Sequence, residues 1–274
     1  MELPKNPFKK AIAAGRQQLG LWVSLASPYS TEIVAGSGFD WILLDGEHSP
    51  NDPTTILPQL QAAAPYPVTP IVRPAWNDKV LIKRYLDIGA QTLLIPYVQT
   101  VEEARDAVAA IRYPTRGVRG VAGTTRAARY GRVADYTERA EEELCLLVQI
   151  ETRLGLDNLE AIARTDGIDG VFIGPADLAA GLGHLGKIGH PEVQSAIQDA
   201  IKRIRACGKP AGILATDEAS TRRYMEWGTV FTAVGLDAMR QLAQADLLRV
   251  EGEEHPKRVE RVLAVISEPA ELPR

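Results

Sequence analysis

The stretch FDWILLDGEH, residues 39–48, sets a short apolar run directly before a cluster of charged residues and a histidine. The same arrangement recurs along the chain, where apolar runs lead to Arg73, Glu151 and Asp177. In a (β/α)8 barrel the parallel strands all open their carboxyl ends on one face, so residues far apart in sequence converge there. The pattern therefore predicts an active site at the mouth of such a barrel.

Eight apolar runs have the length of strands, and longer amphipathic stretches typical of helices separate them. Most runs lack polar alternation, as expected for parallel strands that are covered on both faces. The predicted strands are Gly20 to Leu25, Trp41 to Asp45, Pro70 to Arg73, Thr92 to Pro96, Cys145 to Glu151, Gly170 to Gly174, Ala211 to Leu214 and Val230 to Val234. We predict an α/β fold, a single (β/α)8 TIM barrel over residues 1–274, with a peripheral tail from about residue 250.

Helical stretches fill the gaps between the predicted strands. They are predicted at Thr31 to Gly36, Pro53 to Ala64, Asp78 to Gly89, Val101 to Arg112, Val133 to Glu143, Leu156 to Thr165, Pro191 to Cys207, Asp217 to Trp227 and Asp237 to Arg249. The glycine- and arginine-rich segment 117–126 predicts a substrate-facing loop or lid, with an inert surface loop as the alternative. Segment 181–190 is expected to be a mobile loop over the mouth, and its histidines, with His255, are expected to be surface residues.

Composition excludes several classes of partner. The 31 basic and 35 acidic residues give a net charge of -4, which offers no electrostatic footprint for nucleic acid or an anionic membrane. Cys145 and Cys207 lack metal-ligand spacing and are expected to be reduced thiols. The amino terminus has no apolar signal core, and no segment reaches the ~18 apolar residues of a membrane span. We expect a soluble, cytoplasmic protein.

Glu151 and Asp177 end neighbouring predicted strands, so their carboxylates are expected to lie close together. Two hard oxygen ligands without nearby cysteine or clustered histidine suit Mg²⁺ or Mn²⁺. Two alternatives stay open: one carboxylate could pair with a loop arginine and bind no metal, or the two acids could act as a glycosidase pair. The aromatic content of 6% makes a sugar-stacking cleft the weaker interpretation.

Arg73, Asp45 and His48 carry the remaining chemistry at the predicted mouth. The guanidinium of Arg73 could hold a carboxylate or a developing enolate oxygen, or it could form a structural ion pair with Asp45. An imidazole can gain and lose a proton near neutral pH, so His48 could carry a proton, with Asp45 and Glu47 close by to orient it or raise its basicity. A structural role for His48 is the alternative.

Three motifs resemble the HpcH/HpaI family of class II pyruvate aldolases: residues 39–48, QIET at residues 149–152 and VFIGPADL at residues 171–178. They match in order, spacing and strand position, and the resemblance extends from about Phe8 to Arg249. It implies a barrel of the phosphoenolpyruvate/pyruvate type. It also implies metal-dependent, reversible cleavage of 4-hydroxy-2-oxo acids to pyruvate, or hydroxypyruvate, and an aldehyde.

The resemblance also assigns roles to individual residues. Glu151 and Asp177 match the ligands of a divalent metal, Mg²⁺, Mn²⁺ or Co²⁺, which would stabilise the pyruvate enolate. His48 matches the base, Arg73 the transition-state arginine and Asp87 an acid that raises the basicity of the histidine. The segment expected to bind the pyruvyl part comprises Gln149, Gly174, Pro175, Ala176 and Asp177.

Members of this family assemble as trimers of dimers that exchange the last barrel helix, here Asp237 to Arg249. The resemblance therefore implies a homohexamer whose partners are small-molecule 2-oxo acids and aldehydes. The loop from Arg119 to Arg129 departs from the family pattern, which leaves the acceptor aldehyde open. Two other hypotheses remain: an acyl-CoA lyase of a related barrel family, and a barrel that binds an oxo acid without turning it over.

Overall fold

Eight parallel strands close into a barrel in the computed structural model, which describes residues 1–238. Each strand pairs with the next along the chain, and the last pairs with the first. The strands are β1 Gln18–Val23, β2 Trp41–Asp45, β3 Thr69–Arg73, β4 Thr92–Ile95, β5 Cys145–Ile150, β6 Gly170–Ile173, β7 Ala211–Leu214 and β8 Phe231–Leu236. The predicted α/β barrel is confirmed.

Helices surround the barrel, and most of those predicted are present with shifted ends. They are α1 Pro7–Ala13, α2 Pro28–Ala35, α3 Pro53–Ala63, α4 Lys79–Asp87, α5 Val101–Ile111, α6 Tyr136–Glu143, α7 Arg153–Asp157, α8 Leu159–Ala163, α9 Pro175–Gly181, α10 Pro191–Ala206 and α11 Glu218–Glu226. Among residues 1–238, no helix combines the length and the apolar character that a membrane crossing needs. The predicted helix Asp237 to Arg249 and the tail from about residue 250 lie outside the described residues, apart from residues 237 and 238.

Three features of the helices differ from what the sequence predicts. Helices α1 and α9 have seven residues each, too short for a clear periodic pattern. The single helix predicted from Leu156 to Thr165 is two short helices, because Asn158 departs from helical geometry and Arg203 binds the carbonyl oxygen of Leu156 at 2.8 Å. All three differences arise from tertiary contacts or from lengths too small for periodicity to register.

Aromatic side chains fill the barrel interior from its amino-terminal end to its mouth. Phe8 of α1 covers the amino-terminal end and packs against Trp41 and Phe231, with ring centroids 6.0 and 5.8 Å apart. Above them, Trp22 contacts both Trp41 and Phe172, at 6.5 and 5.5 Å. These rings and the aliphatic side chains packed with them fill the middle of the barrel, so the charged side chains of the strands lie at the carboxyl ends.

Two strand glycines make room for this aromatic column. A Cβ atom on Gly20 would lie 2.2 Å from the Trp41 indole, and one on Gly212 would lie 2.2 Å from the Phe231 ring. Both distances are far below van der Waals contact, so the rings occupy the space that side chains at these positions would need. Glycine inside a strand is otherwise unfavourable, which indicates that packing is the reason for it here.

The arginine-rich segment lies at the amino-terminal end of the barrel. Helix α5 runs away from the mouth, and at its end the backbone N–H of Arg119 donates to the carbonyl oxygen of Arg112. Further along the segment, Arg126 donates to the carbonyl oxygen of Ile88, just beyond α4. Arg119 is fully buried and pairs with Asp87 at 3.0 Å. The interpretation of this segment as a lid over the mouth of its own barrel is therefore wrong.

Substituting Gly212→Ala should destabilise the protein toward the upper end of the about 1–3 kcal/mol that overpacking costs, because the new methyl group would displace the Phe231 ring. Urea denaturation followed by circular dichroism measures the effect. Gly123→Ala is the matched control, since a Cβ at Gly123 meets nothing within 4 Å, and its effect should stay within about 0.5 kcal/mol. Equal midpoints for the two variants would contradict the packing role of Gly212.

Candidate active site

A cavity of about 550 Å³ opens at the carboxyl ends of the strands. It brings together eight of the predicted site residues: Asp45, His48, Arg73, Gln149, Gly174, Pro175, Ala176 and Asp177. Its wall also contains residues to which the sequence predictions gave no role, among them Trp22, Ser24, Phe172, Thr216, Ser220 and Arg223. The predicted convergence of strand ends thus produces one cavity.

Arg73 is held in a single orientation by two carboxylates and an indole. Its Nε and Nη2 donate to the two oxygens of Asp45 at 2.8 and 2.7 Å. Its Nη1 lies 2.8 Å from Oε2 of Glu47, an ion pair without hydrogen-bond alignment. The guanidinium carbon lies 5.0 Å from the ring centroid of Trp22, whose indole N–H donates to Asp45. The ion pair with Asp45 is therefore present, and it fixes a planar cation in the cavity wall.

The contacts of Arg73 also influence the charge states of Asp45 and Glu47. Burial on its own raises the pKa of Asp45, but the hydrogen bonds and positive charge of Arg73 outweigh it, and the net pKa is lowered. The pKa of Glu47 is raised, because its burial, helped by the charges of Asp45 and Asp177, outweighs the effect of Arg73. Asp45 is thus a firmly ionised partner, whereas Glu47 is the less acidic member of the cluster.

Glu151 is the most perturbed carboxyl group of the site. It is 2% exposed, and its oxygens accept hydrogen bonds from the Tyr97 backbone N–H, at 2.9 Å, and from the side-chain amide of Gln149. Burial, with contributions from the charges of Glu47 and Asp177, raises the pKa of Glu151 to about 7. A carboxyl group this costly to ionise needs a compensating cation when it is charged.

Glu151 and Asp177 could hold a divalent metal. Both are hard oxygen donors, and each sits within the electric field of the other and of Glu47. The oxygen Oε1 of Gln149 is buried next to them without a hydrogen-bond partner. Mutual repulsion among three carboxyl groups, together with an unpaired oxygen, is the environment that a divalent cation would relieve.

Gly174 supplies space rather than a functional group. A Cβ atom at this position would lie 2.2 Å from Oε2 of Glu151 and 2.8 Å from the amide nitrogen of Gln149. Gly174 is also the residue before α9, so Pro175, Ala176 and Asp177 form the first turn of that helix. The absence of a side chain at Gly174 thus lets the buried carboxyl group approach the helix that carries Asp177.

His48 lies at the rim of the cavity. Its side chain is 65% exposed, and its Nε2 is 3.9 Å from the carboxylate of Glu47. The turn that carries it is tied to β2, because the Asn51 side chain donates to the carbonyl oxygen of Asp45 at 2.7 Å. His48 can therefore exchange protons with solvent or with a molecule in the cavity.

Asp87 does not reach this cavity within the chain. It ends α4, whose nine residues run from the mouth toward the opposite end of the barrel over about 13 Å. There it pairs with the buried Arg119, as described above. Within one chain Asp87 therefore lies apart from His48, and its effect on the basicity of the histidine stays a prediction.

Comparison with known proteins agrees with the motifs. The sequence profile of the HpcH/HpaI aldolase/citrate lyase family matches residues 18–245.

The chain belongs to the HpcH/HpaI family.

Relatives and solved structures extend this result. A protein of Rhizobium etli named pyruvate aldolase is 64% identical over 237 residues, which cover 86% of this chain and 93% of that protein. A 4-hydroxy-2-oxo-heptane-1,7-dioate aldolase of Salmonella arizonae is 59% identical over 234 residues, covering 85% and 89%. The crystal structure of an HpcH/HpaI aldolase/citrate lyase family protein from Burkholderia cenocepacia superposes with a TM-score of 0.84 at 40% identity, covering 88% of this chain and 98% of that one.

Trp22 and Glu47 are two of the residues near Arg73 whose contacts the sequence did not predict, for different reasons. Trp22 lies in a predicted strand, and the two-residue alternation of inward-facing Gly20, Trp22 and Ser24 was the signal for its position in the cavity. Glu47 was interpreted only as a neighbour of His48, although the structure pairs it with Arg73. Glu47 is next to His48 in the sequence, which indicates His48 as its partner. The register between β2 and β3 sets Asp45 opposite Arg73, and this brings Glu47 within reach of Arg73.

In metal-free protein, Glu151 should make the free energy of unfolding depend on pH. Its folded-state pKa of about 7 lies above the ordinary 4.5, so the folded protein binds this proton more tightly than the unfolded chain does. The stabilisation that results is complete below pH 4.5 and is lost as the pH rises to about 7. At about 1.4 kcal/mol for each pH unit, the loss is about 3 kcal/mol. Urea unfolding in EDTA between pH 4.5 and about 7 should show this loss of unfolding free energy in the wild type and not in Glu151→Gln.

An exposed acid in the first turn of α5 provides the control. Glu102→Gln should keep the wild-type dependence on pH, because Glu102 is 77% exposed. Stability profiles of the wild type and Glu151→Gln that stay parallel between pH 4.5 and about 7 would contradict the assignment.

Proposed function

We propose that this protein is a class II aldolase that reversibly cleaves 4-hydroxy-2-oxo acids to pyruvate, or a close analogue such as hydroxypyruvate, and an aldehyde. The observation that carries the proposal is the cavity at the mouth, lined by fixed Arg73, exposed His48 and Asp177, with Glu151 buried directly behind Gln149 and Gly174 of its wall. The names of the relatives support the same activity.

Glu151 and Asp177 would hold the divalent metal, which we propose to be Mg²⁺, Mn²⁺ or Co²⁺. Bound there, the metal would withdraw electrons from the carboxylate and keto oxygens of a 2-oxo acid and stabilise negative charge that develops on them. Gln149, whose amide donates to Glu151, would orient that carboxylate and present its unpaired oxygen to the cavity.

The protein's own groups would handle the remaining charge and the proton. In the cleavage direction, His48 would take the proton of the 4-hydroxyl group, directly or through water, as the bond between the third and fourth carbons breaks. The electron pair of that bond stays with the oxo-acid fragment as an enolate, and Arg73 would stabilise its oxygen with the N–H groups that Asp45 and Glu47 leave unused. Return of a proton to the third carbon, from His48 or from water, would complete pyruvate. Because Asp45 fixes the guanidinium, little reorganisation is needed during the reaction.

The pyruvyl part would lie against the first turn of α9. Pro175, Ala176 and Asp177 line the cavity there, and Gly174 leaves the approach open. The backbone N–H groups of a first helical turn have no partner within the helix, so Ala176 and Asp177 could donate to a substrate carboxylate. This would place the scissile bond between the metal ligands and His48.

Assembly and location belong to the same proposal. If Asp87 raises the basicity of a histidine, it must do so in another subunit, because it lies at the far end of its own barrel. We propose a homohexamer on the strength of the family resemblance. We also propose a cytoplasmic, single-domain protein from its composition and length.

Activity should depend strictly on a divalent metal. Pyruvate release from 4-hydroxy-2-oxo acids of different chain length, coupled to lactate dehydrogenase, should vanish in EDTA and return with Mg²⁺, Mn²⁺ or Co²⁺. Activity indifferent to chelation would overturn the role of Glu151 and Asp177. Absence of pyruvate from every substrate would favour the acyl-CoA lyase or the non-catalytic barrel instead.

Substituting Gly174→Ala should lower kcat/KM at least about 100-fold, because the new methyl group would displace Glu151 and Gln149 from their present positions. Steady-state kinetics at saturating metal measures the loss, and circular dichroism checks the fold. Gly181→Ala, at the end of the same helix, is the control, since a Cβ there meets its nearest atom at 3.8 Å. Near-wild-type activity of Gly174→Ala would show that the carboxylate position is not critical.

A further inference from the structure

The loop between α9 and α10 brings together two histidines and a glutamate. The rings of His184 and His190 stack with centroids 3.6 Å apart and an interplanar angle of 17°. Nε2 of His184 lies 2.8 Å from Oε2 of Glu192. One potential ligand atom from each residue lies within 4.8 Å of the other two, and within residues 1–238 this is the one such group of three. From the sequence alone both histidines are expected to be ordinary surface residues.

Backbone contacts hold the three side chains in place. The N–H of Lys187 donates to the carbonyl oxygen of His184, and the N–H of His190 donates to that of Lys187, at 2.8 and 2.9 Å. Gly183 takes a φ of +87° next to His184, a conformation that glycine adopts without strain. His190 then caps α10, with Nδ1 accepting the backbone N–H of Glu192 at 3.3 Å. These contacts bring the three side chains together at one point of the loop.

The donor set differs in kind from that of the active site. Two imidazole nitrogens and one carboxylate are typical ligands of Zn²⁺ and other borderline ions, whereas Mg²⁺ prefers oxygen alone. The hydrogen bond between His184 and Glu192 joins one imidazole and the carboxylate of this set.

We propose that His184, His190 and Glu192 form a second metal site, selective for a borderline divalent ion such as Zn²⁺, with water completing the coordination. Ligand atoms of a tetrahedral zinc site lie about 3.3 Å apart, so the side chains must move inward and one ring must tilt out of the stack for both imidazoles to point at one ion. The His184 side chain is 21% exposed and that of Glu192 is 55% exposed, which gives an ion access from solvent.

The position of the cluster gives the ion a structural role. Ile188 and Gly189, between the two histidines, line the active-site cavity. The side chain of Gln194 on α10 donates to the carbonyl oxygen of Ile188 at 2.9 Å. A bound ion would join the loop to the first turn of α10 at a second point and hold this part of the cavity wall in place.

Calorimetric titration with Zn²⁺ tests the site in the full-length protein kept in excess Mg²⁺. We expect one Zn²⁺ per chain that persists in Asp177→Asn, where a proposed active-site ligand is lost. Affinity should fall at least about tenfold in His184→Gln and in Glu192→Gln. Glu102→Gln is the matched control, because Glu102 is also an exposed acid in a first helical turn but has no histidine in contact, and it should bind Zn²⁺ as the wild type does.

The outcomes separate the two sites. Zn²⁺ binding that is unchanged in both His184→Gln and Glu192→Gln, or that is lost only in Asp177→Asn, would overturn the proposal. If His184→Gln fails to fold, the surface variant Glu192→Gln decides the question. Hydrogen exchange provides a second readout: Zn²⁺ should slow exchange in residues 182–190 of the wild type, and no change there would overturn the structural role.

Discussion

The filling of the barrel interior by aromatic rings is the constraint on which the rest of this structure depends. Phe8, Trp41, Phe231, Trp22 and Phe172 occupy the space enclosed by the strands, and glycines at two strand positions make their packing possible. The interior below the mouth therefore has no volume or hydration for a charged group. Charged residues that point inward are tolerated where the column ends, and there Trp22 supports the guanidinium of Arg73.

The electrostatics of the mouth follow from the confinement of charged side chains to the carboxyl ends of the strands. Asp45 and Glu47 contact Arg73 directly, and the charges of Glu47 and Asp177 act on the buried Glu151. Arg73 compensates Asp45 well enough to lower its pKa, but Glu151 receives neutral hydrogen bonds and remains difficult to ionise. The site is thus divided into a region where the cation is part of the protein and a region that needs an additional cation, consistent with the proposed metal.

The two proposed metal sites illustrate how ligand type separates functions on one fold. Oxygen donors at the strand ends suit a hard ion that also contacts substrate oxygens. Imidazole donors on the loop beside α10 suit a borderline ion whose contribution is structural. They share the cavity wall, since Ile188 and Gly189 line the cavity that also contains Asp177.

Apolar runs of strand length and the charged residues that end them determined the barrel and most of its active site from sequence alone. Both signals are local. A strand covered on both faces must be apolar, and a charged residue at its carboxyl end is typical of an active site in this fold. The order of predicted strands and helices already implies the amino-terminal end for Asp87 and segment 117–126, because each lies at or beyond the end of a helix, whereas the burial of Arg119 against Asp87 depends on tertiary packing. Likewise, the pairing of Glu47 with Arg73 and the stacking of His184 on His190 depend on strand register and on turns that bring separate residues together. Such contacts arise only when the chain closes on itself, so the tertiary structure alone decided them.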